Sequence, residues 1–213
     1  AAAQPLLQPG GGRVDRTLDP RPPKRIGPAV ATELRATRRL LTSFGALLGG
    51  DSPRAEPVAD QLLLAAGARL DDGQRTAHIA AAQAGVQAVV EAVTVPDRQT
   101  ITLTARDGTV PMTLRNGAGV PVDVVVRLRS PKLEFPDGNT IPLTLTEETT
   151  RLDIAVRARA SGAFPVQVEV TSPDGGIRLA DAEYCVRSTA VAGVGGVLSG
   201  GAASFLLVWC ARH

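Results

Sequence analysis

The end of the chain constrains the fold most, because residues 188–211 contain no charged side chain. About 20 apolar residues in a helix cross the hydrocarbon core of a bilayer. Tyr184 and Arg187 precede the segment, and Trp209 and Arg212 lie at its far end, where such side chains favour the membrane interface. The sequence therefore predicts one C-terminal transmembrane helix over residues 188–211, with these four residues as interface anchors. A buried helix or a glycine-rich strand is the alternative.

Small residues recur every four positions within this predicted helix, at Ala192, Gly196, Gly200 and Ser204. Such a ladder forms one stripe along a helix and allows the backbones of two helices to approach closely. We expect the stripe to pack against a polytopic membrane protein, with membrane lipid around the rest of the helix. A homodimer through the same stripe is the other arrangement, and ordinary glycine enrichment of membrane helices is the plain explanation.

The apolar pattern between residues 97 and 187 has a period of two. In residues 164–170, for example, Phe164, Val166 and Val168 alternate with more polar neighbours. One apolar and one wet face per strand is typical of antiparallel sheets. About eight such runs are separated by turn sequences, of which residues 136–139 are one, and this spacing favours a β-sandwich. Residues 97–187 therefore predict an immunoglobulin-like antiparallel β-sandwich.

Residues 28–94 show apolar residues at helical spacing instead. Pro28 suits a first helical turn, Gly49 follows the end of that helix, and Asp71 or Asp72 can cap a later one. Short connections make neighbouring helices antiparallel. The segment thus predicts a small bundle of two to three helices.

Residues 1–27 are rich in proline and glycine and predict an extended linker. The predicted fold class is mixed α and β in separate units: the linker, the helical bundle, the sandwich and the transmembrane helix.

The composition argues against several functions. A net charge of +2, one Trp, one Tyr and four Phe provide neither a basic surface nor a stacking platform, so we expect no nucleic-acid partner. His78 and His213 have no metal-ligand neighbours in sequence. The sequence predicts no catalytic, cofactor or metal site. Cys185 and Cys210 flank the predicted helix and would be roughly 35 Å apart, too far for a disulfide within one chain.

Four motifs carry a family resemblance: KLEFPDG at 132–138, GAFPVQVEVTSPDG at 162–175, VRSTAVAGVG at 186–195 and WCARH at 209–213. In these the sequence resembles an uncharacterised actinobacterial family, a domain of unknown function, of exported single-pass membrane proteins. The departure is Cys210, where a second Trp is usual. The resemblance implies a larger extracytoplasmic region upstream. It also implies a role in envelope assembly, because members are commonly encoded next to the lipid II flippase homologue.

These observations lead to one expectation for the function. The chain is expected to be a non-enzymatic envelope protein in the cell membrane, single-pass, with the sandwich extracytoplasmic and the C-terminus cytoplasmic. Its role would be that of an accessory subunit docking on a polytopic membrane protein of cell-wall assembly, such as the lipid II flippase. The alternative is the stalk and anchor of an exported enzyme whose catalytic domain lies upstream.

Overall fold

The structure, a computed structural model, describes residues 25–50, 52–96 and 99–189. Within these ranges three helices precede nine strands. The helices are α1 (Pro28–Leu47), α2 (Glu56–Ala65) and α3 (Asp72–Ala92). The strands are β1 (Val93–Thr94), β2 (Thr100–Leu103), β3 (Asp107–Asn116), β4 (Val122–Arg129), β5 (Leu133–Glu134), β6 (Thr140–Leu145), β7 (Thr149–Ala158), β8 (Gly162–Thr171) and β9 (Arg178–Ser188).

The helices begin and end where their sequence signals lie. Pro28 occupies the first turn of α1, where its fixed φ is already helical and its missing N–H costs no hydrogen bond. After α1, Gly49 adopts φ +73°, a left-handed conformation that glycine reaches without strain. Asp71 caps α3: its side chain accepts from the Gln74 N–H at 2.8 Å, and the Gln74 side chain accepts from the Asp71 N–H at 3.0 Å. The predicted helix start at Pro28 is confirmed, and of the two predicted caps, Asp71 and Asp72, the structure uses Asp71.

The three helices pack as an up-down-up unit. Gln83 of α3 donates to the Thr37 hydroxyl of α1 at 3.0 Å. Arg75 of α3 is only 1% exposed, and its Nη1 donates at 2.9 Å to the carbonyl of Ala65. This contact satisfies a carbonyl at the C-terminal end of α2 that has no partner within the helix. The buried arginine therefore ties the end of α2 to the beginning of α3.

The strands form two sheets, with the orders β1-β3-β7-β5 and β2-β9-β8-β4-β6. Inward side chains of both sheets form the sandwich core, and the immunoglobulin-like β-sandwich is confirmed. One feature of the predicted sandwich is wrong, because β2 pairs with β9 in parallel, from Thr100 opposite Cys185 to Leu103 opposite Ser188. Alternation of side chains defines the faces of a strand but leaves the direction of its neighbour open.

The helical unit and the sandwich share one hydrophobic core, which corrects the prediction of separate units. Phe44 and Leu47, at the end of α1, are 1% and 0% exposed. At the same junction α3 runs directly into β1, which pairs with the end of β3. The Arg54 guanidinium donates at 3.1 Å to the carbonyl of Ala118 in the β3–β4 turn. The helices thus close one end of the sandwich, called here the helix end.

Replacing Leu47 by alanine tests this shared core. We expect Leu47→Ala to lower the free energy of unfolding by about 2–5 kcal/mol, since it leaves a cavity where helix and sandwich meet. Circular dichroism during denaturant titration of the full chain in mild detergent measures this loss of stability. Helix and sheet should unfold in one common transition, at a lower denaturant concentration in the variant. Leu63→Ala, at a side chain that is 70% exposed, is the control and should change little. Separate helix and sheet transitions would contradict a shared core.

Candidate functional site

Most of the residues predicted to form the membrane site lie outside the described residues. These are the helix-packing residues and the far anchors: Ala192, Gly196, Gly200, Ser204, Trp209 and Arg212. In residues 25–50, 52–96 and 99–189, no helix is both long and apolar enough to cross a bilayer. The predicted start of the membrane helix at residue 188 is corrected, because Ser188 is the last residue of β9 and is buried.

Tyr184 is a core residue and not a membrane anchor. Its side chain is 0% exposed, and along β9 it shares the inward face with Ala182 and Val186. A ring enclosed between two sheets cannot reach lipid, so this anchor is corrected. The period-two pattern of β9 contained the signal, since Tyr184 is in phase with the apolar positions. Arg187, by contrast, is exposed on the outer face.

The last strand leaves the sandwich at the end opposite the helices, called here the exit end. Ser188 pairs on one side with Leu103 of β2 and on the other with Gly162 of β8. Thr189 follows, and its N–H and hydroxyl donate to the Leu103 carbonyl at 3.0 and 3.3 Å. Backbone pairing therefore holds the chain on both sides up to the last residue of the strand.

The exit end is rich in basic side chains from several segments. It is built by three short loops, 104–106, 130–132 and 159–161, with the strand ends beside them. Its charged residues are Arg106, Asp107, Arg129, Lys132, Glu134, Asp137, Arg157, Arg159 and Arg187. Six positive and three negative charges leave an excess of three positive charges.

Some of these cations are already neutralised by ion pairs. Arg157 pairs with Asp107. The hydrogen bond between the two side chains raises the pKa of the Arg157 guanidinium above its ordinary value. Arg159 pairs with Glu134 at 2.9 Å. In the part of the chain that the structure describes, Arg106, Lys132 and Arg187 have no ion pair, and all three are exposed. The residue pattern does not group these three cations, because only the topology brings their segments to one end.

A shallow groove on the outer face of the five-stranded sheet is balanced in charge. Glu169 lies at its centre, with Arg178 at 3.0 Å and Arg129 at 3.6 Å. Arg127, Asp181 and Glu183 complete the charged lining. Arg178 also pairs with Asp181 at 3.5 Å. The three basic and three acidic residues leave no net charge in the groove for a ligand, and the ion pairs around Glu169 and Arg178 stabilise the sheet surface.

Asp174 is a second ordered carboxylate, and it joins the sandwich to α1. It accepts hydrogen bonds from the hydroxyls of Ser172 and Ser43, both at 2.6 Å, and from the Gly176 N–H at 3.1 Å. The Ser172 hydrogen bond and then the Ser43 hydrogen bond lower the pKa of Asp174. Gly176 belongs to this contact, because a Cβ at that position would collide with the Ser43 side chain. All four residues serve the junction.

Residues 25–50, 52–96 and 99–189 contain no group of three or more His, Cys, Asp or Glu that could hold a metal ion. His78 is half-buried in α3, with Nδ1 2.8 Å from Oε1 of Gln61 on α2. The ring thus takes part in helix packing. Cys185 is exposed on the outer face of β9.

The class of protein is defined by these features: an immunoglobulin-like β-sandwich with a helical unit packed on one end and a basic surface at the other. The match to a family model over residues 22–209 identifies the relationship. The chain belongs to DUF6049, a family of unknown function.

Three solved structures to which this chain is similar each cover less than half of it. PapD-like domain 7 of human CEP192 is 15% identical, over 47% of this chain and 86% of that one, with a TM-score of 0.33. WR4, a C. elegans MSP family member, is 8% identical over 46% and 99%, with a TM-score of 0.33. The N-terminal domain of PorA is 16% identical over 46% and 96%, with a TM-score of 0.35. No curated protein matches the sequence.

The lowered pKa of Asp174 predicts a pH dependence of stability. A carboxyl group whose pKa is lower in the folded state stabilises the fold fully above its unfolded pKa of about 3.9. That contribution is lost as the pH falls through the folded pKa. We expect Asp174→Asn to be destabilised at pH 6 and to differ less from the parent at pH 2, measured by denaturant midpoints across this range. Asp60→Asn, at an exposed carboxylate of α2, is the matched control; equal behaviour of both variants would contradict the role of Asp174.

Proposed function

We propose that this chain is a non-enzymatic, membrane-anchored envelope protein, an accessory subunit that docks on a polytopic membrane protein of cell-wall assembly. The lipid II flippase is the partner class that the family resemblance favours. The observation that carries the proposal is the exit of β9, which is held by β2 and β8 up to Ser188, the first residue of the uncharged segment.

This exit supports an oriented subunit better than a flexible tether. Flexible linkers are rich in glycine and serine and have no fixed hydrogen bonds. Here Thr189 alone separates the last paired residue from residue 190, and Thr189 itself is bonded to Leu103. If the small-residue stripe of the predicted helix docks on a partner, the orientation of the sandwich relative to that partner would therefore be fixed.

The proposed placement has the sandwich outside the membrane and the C-terminus in the cytoplasm. Arg212 and His213 follow the uncharged segment, and positive residues favour the cytoplasmic side of a membrane helix. One Arg also precedes the segment, so the export implied by the family resemblance is the stronger support. Thiol chemistry can test this placement, since Cys185 and Cys210 would lie on opposite sides.

We expect an impermeant maleimide to label Cys185 in intact cells, because its thiol is exposed on the outer face of β9. The experiment uses the Cys210→Ser variant, so that Cys185 is the sole cysteine. The reciprocal Cys185→Ser variant should be labelled at Cys210 only after the membrane is permeabilised. Labelling of Cys210 but not Cys185 in intact cells would reverse the proposed orientation.

Docking through the small-residue stripe is tested by replacing its glycines with larger residues. Gly196→Leu with Gly200→Leu should abolish recovery of the polytopic partner from mild-detergent extracts, because leucine side chains prevent close helix approach. The matched control is Val194→Leu with Ala202→Leu, which adds bulk to the opposite side of the predicted helix and should leave recovery unchanged. Quantitative mass spectrometry of the purified full-length protein measures the molar ratio of the polytopic partner to this protein. Undiminished recovery with both pairs would contradict docking through the stripe.

A further inference from the structure

We propose that the exit end binds the anionic headgroups of phospholipids, in the same bilayer that receives the chain after Thr189. This inference rests on the membrane anchoring in the proposed function and adds a second contact to it. The contact is electrostatic and is made by three cations of the exit end that have no ion pair among the described residues: Arg106, Lys132 and Arg187.

The backbone places two of these cations around the end of one strand. The carbonyl of Arg106 accepts from the Ala158 N–H at 2.7 Å, and the carbonyl of Lys132 accepts from the Arg159 N–H at 2.9 Å. Arg106 and Lys132 therefore flank the end of β7 from its two sides. They belong to the four-stranded sheet side of the exit end.

Arg187 supplies the third cation from the other sheet. Its backbone is opposite Thr102 of β2 and Ala163 of β8, one residue before the end of β9. Cations from both sheets thus lie at the end of the sandwich where the chain leaves. A bilayer entered at residue 190 would meet this end of the sandwich first.

The two ends of the sandwich differ in charge. The turns at the helix end, residues 117–121, 146–148 and 172–177, contain Glu147, Glu148 and Asp174 and no basic residue. The exit loops 104–106, 130–132 and 159–161 contain three basic residues and no acidic one, and the neighbouring loop 135–139 contains one acidic residue, Asp137. A negatively charged bilayer surface attracts the exit end, so the long axis of the sandwich would stand upright on it.

The chemistry of the exit end fits headgroups better than inserted lipid tails. Its loops consist of small or polar residues besides the cations, and large exposed apolar side chains are found elsewhere among the described residues, at Leu63 and Leu64 of α2 and at Ile26. Lys and Arg near an anionic membrane attract it over about a Debye length, so the contact should weaken in salt.

The test places a reporter at each end of the sandwich in the full chain. A fluorophore is attached at Ala160→Cys, in the exit loop 159–161, or at Thr146→Cys, at the helix end, in a background of Cys185→Ser and Cys210→Ser. The protein is reconstituted in phosphatidylcholine vesicles with or without phosphatidylglycerol, and quenching by headgroup-labelled lipid reports proximity. Flotation of the vesicles in high salt measures anchoring independently of the headgroup contact.

We expect quenching at position 160 to rise when phosphatidylglycerol is present and to be lost in salt, with no such rise at position 146. Each basic residue near the surface is worth about a fivefold change in binding. The triple variant Arg106→Gln, Lys132→Gln, Arg187→Gln should therefore reduce the contact at least tenfold. The triple variant Arg35→Gln, Arg38→Gln, Arg39→Gln removes the same charge from exposed positions on α1 and should leave it unchanged.

The outcomes separate the two proposals. Headgroup binding is overturned if the protein floats with the vesicles but its quenching at position 160 is the same with and without phosphatidylglycerol. It is also overturned if the two triple variants show equal quenching. Either result leaves the membrane anchoring supported. Protein that fails to float in high salt overturns the anchoring itself, and with it the inference. Protein that floats and shows charge-dependent contact at position 160 alone supports both.

Discussion

The packing of the last turn of α1 against the end of the sandwich is the contact on which the rest of the structure depends. Phe44 and Leu47 have almost no exposed surface there, and burial of such side chains is the main favourable term in folding. The helical unit is small, and its third helix contains mostly alanine and valine on its inner face. It gains from the sandwich an apolar surface that the three helices do not supply to each other.

Polar contacts fix the direction of this packing. The hydroxyls of Ser43 and Ser172 meet one carboxylate, Asp174, in the turn between β8 and β9. Since β8 and β9 form the longest pairing in the five-stranded sheet, the position of their turn determines where their other ends lie. The helical unit and the exit end are thus connected through two continuous strands, and the sandwich has a defined top and bottom.

Much of the fold could be predicted from the sequence, because local residue patterns determine most of its helices and strands. Pro28 and the Asp71–Gln74 capping box mark helix starts, and apolar alternation between turn residues marks eight segments that correspond to β2–β9. The brief strand β1 was missed, since two residues directly after a helix show no period. The parallel pairing of β2, and the burial of Phe44 against a sheet, depend on partners distant in sequence, which periodicity does not identify.

The candidate site was less accessible to sequence reasoning. Tyr184 was assigned by its nearness to the uncharged segment, although its phase in β9 placed it inside. Arg187 could be singled out for the same nearness, and it is exposed. Arg106 and Lys132 lie 81 and 55 residues earlier in the chain, and they join Arg187 only through the order of strands in two sheets. Grouping charges into a surface requires topology, which the residue pattern alone does not provide.

The position of β9 between two neighbours also has a mechanical consequence. Ladder hydrogen bonds in a sheet run across the strands, so tension applied along β9 from its C-terminal end would load all of its bonds together. The pairings with β8 and with β2 would share that load, instead of opening one bond at a time from a free edge. A chain pulled at this point would be loaded in shear, and the hydrogen bonds to the parallel strand β2 would add to the resistance provided by β8.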